Sequence, residues 1–236
     1  MYTIFLYETD GFSMEKSEKP NKFGFLKESP QLYQKVIPAL SHAASHQESS
    51  TRKLSCGIQA LEECLGGGLP VGALIEWGAP MGQGGRELLM PWIREVTNPV
   101  NTSSSPSWAL WVYTLPRLIP FAPAWAARGV ALERLRFAQT TSPLRDLQPV
   151  FMEPLFRMIV LDVSQTFSPD EYAFLTRQAR HHDQTIVVVQ DRLLSPETGN
   201  VWARLRVNTR HLAKPHHYQL EILKGSSIRH KAITLV

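Results

Sequence analysis

The chain from Leu74 to Trp77 is a short, mostly apolar run that ends in a loop with glycines at 78, 82, 84 and 85. A helix-like segment is expected from about Gly85. Strand, Gly-rich turn and helix start is the layout that holds a polyphosphate, because backbone N–H groups and the helix dipole converge there. The spacing rule for such a loop is G-x-x-x-x-G-K-[ST], with lysine on the phosphates and the hydroxyl on Mg²⁺. Counted from Gly78, the second glycine, the lysine and the hydroxyl are replaced by Gln83, Gly84 and Gly85. A one-residue slip restores Gly84 but leaves Gly85 and Arg86 in the last two places. Arg86 could stand in by position, yet its planar fork is not a point charge. Asp162 closes the apolar run Met158-Ile159-Val160-Leu161, where a Mg²⁺-holding carboxylate belongs. The run Trp108–Thr114 ends without the acid that would activate water. Three outcomes stay open for this loop: ATP hydrolysis, nucleotide binding without useful turnover, and an inherited turn. The first two would use ATP with Mg²⁺; the third needs no cofactor.

These residues need a scaffold, and the pattern from Leu54 onward supplies one. Ile58, Leu61, Cys64 and Leu65 share a helical stripe that ends at Gly66-Gly67-Gly68. Strands are expected at Ala73–Trp77, Trp108–Thr114, Leu135–Ala138, Arg157–Asp162 and Thr185–Val189. Helices are expected after Gly85 with Pro91 as an interruption, at Pro120–Arg128, at Leu144–Phe156 with Pro149 and Pro154 as defects, and at Pro169–His182. Ser168 is a good N-cap for the last of these. Alternation of helices with near-continuous apolar strands predicts a mostly parallel sheet covered by helices. Three strand-like runs, Val201–Val207, Tyr218–Leu223 and Lys231–Val236, close the chain without helices between them, so antiparallel strands are expected at that edge. Residues 1–52 are expected to be an appendage and linker, with a strand at Met1–Tyr7 and a helix at Gln31–Ala44. Residues 53–236 form the expected core domain.

Composition sets the class. The chain has 236 residues, 43% hydrophobic and 19% charged, which suits an ordered globular protein. No apolar run reaches the roughly 18–20 residues of a membrane helix. Glu8 and Asp10 close behind the N-terminal apolar run argue against a secretory signal, so a cytoplasmic location is expected. Cys56 and Cys64 offer neither a disulfide framework nor metal spacing and are expected to be buried thiols. The net charge is +4, and the C-terminal segment concentrates it in Arg204, Arg206, Arg210, Lys214, Lys224, Arg229 and Lys231. Such a segment can hold phosphates or an acidic partner, or simply form a solvated strand face. His181, His182 and Asp183 fall at a helix end, where adjacent histidines point apart, so no metal site is expected. Trp108, Trp111, Trp125 and Trp202 are expected in the core.

From Leu54 to Val236 the sequence resembles the RecA recombinase superfamily core. Gly57–Gly72 is similar to that family's G-x-x-x-L-D-x-x-L-G-G-G-x-P-x-G approach to its first strand. Val188-Val189-Gln190-Asp191-Arg192 resembles its I-N-Q-x-R strand end. Ser195-Pro196-Glu197-Thr198-Gly199-Asn200 resembles a shortened second DNA-binding loop, with Ala203–Val207 as the next strand. The resemblance implies a RecA-like P-loop α/β fold. It implies a nucleotide site, here degenerate, at Gly78, Gly82, Gly84, Gly85, Arg86, Asp162 and Gln190. It implies DNA contacts from Arg192, Ser195, Glu197, Thr198, Gly199, Asn200, Arg204, Arg206 and Arg210. Lys224 falls where that family's lysine reaches a neighbouring subunit's nucleotide, which implies a homo-oligomer.

Within the superfamily the chain is most similar to ImuA proteins, the RecA-like accessory factors of error-prone translesion synthesis. The lysine-less loop continuing through Leu88, Leu89 and Pro91, and Ala109–Val112 followed by Pro116, Pro120–Ala124 and Gly129, carry that likeness. It implies a weakly catalytic or non-catalytic factor of DNA damage tolerance. Its implied partners are a polymerase-like mutasome component, RecA and single-stranded DNA, with no membrane. A divergent DNA-dependent ATPase and a damage-induced inhibitor of cell division remain the alternatives.

Overall fold

The structure is a computed structural model that describes residues 52–99, 105–114, 120–163, 167–225 and 230–234. The expected strand at Met1–Tyr7 and helix at Gln31–Ala44 lie outside these residues. The chain opens with β1 (Lys53–Leu54), α1 (Gln59–Cys64) and β2 (Leu69–Pro70), and β1 pairs antiparallel with β2. The α1 entry is held by one carboxylate. Glu62 Oε1 accepts from the Ser55 hydroxyl and from the Cys56 and Gly57 N–H groups, at 2.5, 2.7 and 2.9 Å.

Then come β3 (Ala73–Gly78), a 3-10 turn at Glu87–Leu89, α2 (Met90–Thr97) and β4 (Trp108–Tyr113). After these lie α3 (Ala122–Ala126), β5 (Leu135–Gln139), α4 (Pro143–Asp146), α5 (Gln148–Met152) and β6 (Phe156–Val163). The chain ends with α6 (Pro169–His181), β7 (Thr185–Gln190), β8 (Leu205–His211), β9 (His217–Lys224) and β10 (His230–Thr234).

Among the described residues, eight strands make the main sheet in the order β10-β9-β8-β3-β7-β6-β4-β5. The six strands from β8 to β5 pair in parallel; β9 and β10 add antiparallel at one edge. The central strand β3 lies between β7 and β8, with Glu76 opposite Val188 on one side and Arg206 on the other.

Strand alternation divides the core into two layers. Ile75, Trp77, Trp111, Val160, Val187 and Val207 pack with Leu88, Leu89, Trp92 and Ile93 from the loop-proximal turn and α2. Leu74, Val112, Ile159, Leu161 and Val188 face the other way, onto Phe151, Tyr172, Leu175 and Ala179 of α5 and α6. In α6 the buried residues are Tyr172, Leu175, Thr176 and Ala179, one stripe at helical spacing. Ser168 caps this helix, as expected, and the structure adds a reciprocal box with Glu171.

Proline placement differs from the sequence expectation. Pro91 lies in the first turn of α2, where a missing N–H removes no helical bond, so it starts the helix instead of interrupting it. The expected helix Leu144–Phe156 is two short helices, because Pro149 begins α5 and α5 stops before Pro154. The expected strand Val201–Val207 is displaced to Leu205–His211. Among the tryptophans, Trp111 and Trp125 are buried, while Trp108 and Trp202 are half-buried. Cys56 and Cys64 are both buried, as expected. Among the described residues no helix is long and apolar enough to cross a membrane.

Candidate functional site

The C-terminal ends of the neighbouring strands β3, β7 and β6 lie side by side within the sheet, and the two candidate sites lie near them on opposite faces. On the α2 face is the Gly-rich loop. Gly82 and Gly84 have φ of 78° and 69°, the left-handed region that favours glycine. A Cβ on Gly84 would run into the Tyr218 ring, and one on Gly85 would run into Ala79. The loop is therefore packed tightly against β9 and against its own first residues. Ala79 N–H donates to the Gln190 carbonyl at 2.9 Å, and Met81 N–H donates to Asp191 Oδ1 at 2.6 Å. The expected helix start at Gly85 is replaced by the 3-10 turn, with Glu87 N–H donating to the Gly84 carbonyl at 3.0 Å.

Arg86 turns into this loop. Its Nε and Nη2 each donate to Asp162 at 2.8 Å, and its Nη1 donates to the Ala79 carbonyl at 2.9 Å. Asp191 Oδ1 stands 3.9 Å from Nη2. The Asp162 side chain is fully buried, and the Trp111 indole also bonds to it. Burial pushes the Asp162 carboxyl above its ordinary range; the Arg86 fork opposes that push and the Asp191 charge adds to it. A bidentate guanidinium takes both oxygens, so the Asp162 carboxylate, expected from the sequence as a Mg²⁺ ligand, is engaged by a side chain of the same chain. Thr114, at the end of β4, donates its N–H to the Asp162 carbonyl at 3.2 Å and supplies no carboxylate.

Glu87, next to Arg86, accepts from Tyr218 at 2.6 Å and from Arg128 at 2.7 Å. Burial raises its carboxyl, but the bonds from Tyr218 and Arg128 outweigh burial and leave it below the usual range. Its neighbours had no signal in the sequence, since Tyr218 lies 131 residues away.

On the α6 face, a cavity of about 430 Å³ opens between β3, α6 and the segment 192–202. Glu76 is its floor. Glu76 Oε2 accepts from Arg206 Nε at 2.8 Å and Oε1 from Asn200 at 2.9 Å. Tyr172 also bonds to Glu76, and burial together with that charge raises the Tyr172 phenol. Gln190 is buried and donates to the Tyr172 hydroxyl at 3.4 Å.

The residues expected to touch DNA divide into two groups. Arg206 is buried, and its Nη2 donates to the Ser195 and Thr198 carbonyls at 3.2 and 3.0 Å. Asn200 is tied to Glu76, and the Ser195 hydroxyl accepts from the Glu197 and Thr198 N–H groups. These contacts shape the segment from within. Arg192, Glu197, Thr198, Gly199, Arg204 and Arg210 are exposed, and Arg192 borders the cavity. Arg210 lies apart from it, in a groove with Gln219, Glu221 and His230. Lys224 donates to the Asn200 and Val201 carbonyls at 3.3 and 3.2 Å; burial and Arg206 lower its pKa. Its ammonium is thus engaged with its own chain.

Asn208 was not singled out in the sequence. Its Oδ1 accepts from the Leu194 N–H at 2.7 Å and its Nδ2 donates to the Leu194 carbonyl at 3.0 Å. The same side chain fills the space where a Cβ on Gly78 would go. A polar residue in a buried strand, just opposite a loop glycine, was the available signal.

The architecture defines a class. A mostly parallel sheet, a Gly-rich turn after its central strand and an antiparallel edge make a RecA-like fold. The crystal structure of the RadB recombinase is similar to it, with a TM-score of 0.60 at 15% identity, over 78% of this chain and 96% of that one. No protein-family profile matches the chain. No curated protein matches it in sequence.

Proposed function

We propose that this protein is a RecA-like accessory factor of DNA damage tolerance, acting through contacts with an error-prone polymerase complex without turning over ATP. The observation that carries the non-catalytic part is the fork of Arg86 on Asp162 at 2.8 Å. It commits the strand-end carboxylate internally and puts a bulky cation where the loop would need a hydroxyl. The ImuA-like sequence features support the damage-tolerance part, and the retained segment 192–200 supports a contact with single-stranded DNA.

Two measurements test this reading together. Phosphate release from MgATP is followed with and without single-stranded DNA, and association with a Y-family polymerase complex is followed by size-exclusion chromatography. The expected result is co-elution with the polymerase complex and release no faster than the blank. Robust DNA-stimulated hydrolysis without association overturns it in favour of a divergent ATPase. A thermal shift at about 1 mM MgATP separates binding from turnover, because any ligand selective for the native state stabilises it.

A further inference from the structure

A third feature lies on neither candidate site. The C-terminal end of α6 and the end of α5 border a shallow groove of about 660 Å³, lined by Met152, Arg177, Gln178, Arg180, His181 and His182. It sits beside the start of β7, at the opposite end of that strand from Gln190. Arg177, Arg180 and His181 are exposed. Among the described residues no ion pair reaches Arg177 or Arg180, whereas the nearby Asp183 is already paired with Arg52 at 2.5 Å. The dipole of α6 accounts for cations in its last turn, and Arg180 and His181 sit there. It does not account for Arg177, one turn earlier, nor for the exposed Met152 in the same groove.

Five large hydrophobic side chains are exposed among the described residues; Met152, at 50%, lines this groove, and Leu155, at 53%, follows it three residues on in the chain. Glu153 lies between them in sequence and is the acid of the segment; its carbonyl accepts from the buried Gln184 at 2.9 Å and fixes the turn. The groove thus combines unpaired guanidinium groups with aliphatic surface on a fixed backbone. A nucleic-acid backbone rewards the cations but not exposed Met and Leu. A peptide carrying acidic residues around an aliphatic side chain rewards both.

We infer that this groove docks an acidic segment of a protein partner with one or two aliphatic anchors. The cations would steer the acidic residues, and Met152 with Leu155 would cover the anchor.

The test uses the full chain and three fluorescent probes: a Glu/Asp peptide bearing two leucines, the same peptide with serines for leucines, and a single-stranded oligonucleotide. Anisotropy should show saturable binding of the first probe at moderate salt. Arg177→Glu/Arg180→Glu should weaken it at least about tenfold, and Met152→Ser/Leu155→Ser by about threefold or more. Neither variant should change oligonucleotide binding. Equal binding of the serine peptide overturns the inference, since simple charge attraction would then suffice. So does loss of oligonucleotide binding in the charge-reversal variant, which would make the groove a nucleic-acid surface. Binding of the first probe that neither variant affects also overturns it. Circular dichroism melts of both variants exclude unfolding as the cause of any loss.

Discussion

Arg206 and Glu76 meet at 2.8 Å across adjacent parallel strands, with 6% of each side chain exposed. The pair ties β3 to the segment 195–200, because the same guanidinium also reaches the Ser195 and Thr198 carbonyls. Truncating one member strands the other charge in the core. Arg206→Ala is expected to cost about 3–5 kcal/mol, the usual penalty for an uncompensated buried charge. Adding Glu76→Ala to it should cost less than the sum of the single changes. A urea-denaturation double-mutant cycle reads the coupling; additive effects would show that the pair is not an energetic unit.

The Arg86 fork makes a related but separable claim. Arg86→Ala leaves Asp162 fully buried without its cation, with an expected loss of about 3–5 kcal/mol near neutral pH. Arg86→Lys keeps the charge but loses the two parallel bonds, so it should fall between wild type and Ala. Asp162→Asn in the Arg86→Ala background should recover part of the loss. If Arg86→Ala melts with wild type, the fork does not hold the loop.

Acid stability separates two carboxylates whose pKa values shift in opposite directions. Burial pushes Glu62 up, but the bonds from Ser55, Cys56 and Gly57 outweigh it and leave the pKa below the usual 4.5. A depressed carboxylate contributes stability that is present above its unfolded pKa and lost as pH falls through the folded one. Asp162 is raised above 3.8, so its contribution is present at low pH and lost as pH rises through the folded value. Glu62→Gln should therefore flatten the acid limb below about pH 4.5, whereas Asp162→Asn should act on the less acid side. Melting temperatures from about pH 3 to pH 7 distinguish the two; an unchanged acid limb in Glu62→Gln would count against the capping network.

Cys56 provides a test of burial. Its thiol is pushed up to about 12, chiefly by burial, and it is fully inaccessible. Thiolate is the reactive form. Iodoacetamide at about pH 8 should leave Cys56 and Cys64 unlabelled in the native protein and label both after denaturation, as read by mass spectrometry. Rapid native labelling of Cys56 would show that the β1–α1 corner opens.

The central strands β3, β4, β6 and β7 were legible because they are buried on both faces and therefore mostly apolar. β8, which joins the parallel strands to the antiparallel edge, was less so. In β8, Arg206 and Asn208 look like loop residues, yet they are buried because Glu76 and Leu194 satisfy them across the fold. Conversely, Val201 looks like a strand residue but is 79% exposed, since Lys224 and Glu76 hold residues 200–201 off the sheet. The loop's defects were plain in its spacing. What Arg86 does instead was not, because its partner lies 76 residues away and only the fold brings them together.

The Arg86 fork also changes what the loop responds to. A phosphate-binding turn that waits for its ligand takes its shape from the nucleotide supply around it. A turn held by its own arginine and two carboxylates takes its shape from the chain. Under the proposed function, this corner of the molecule would present the same surface to a partner in a starved cell as in a growing one.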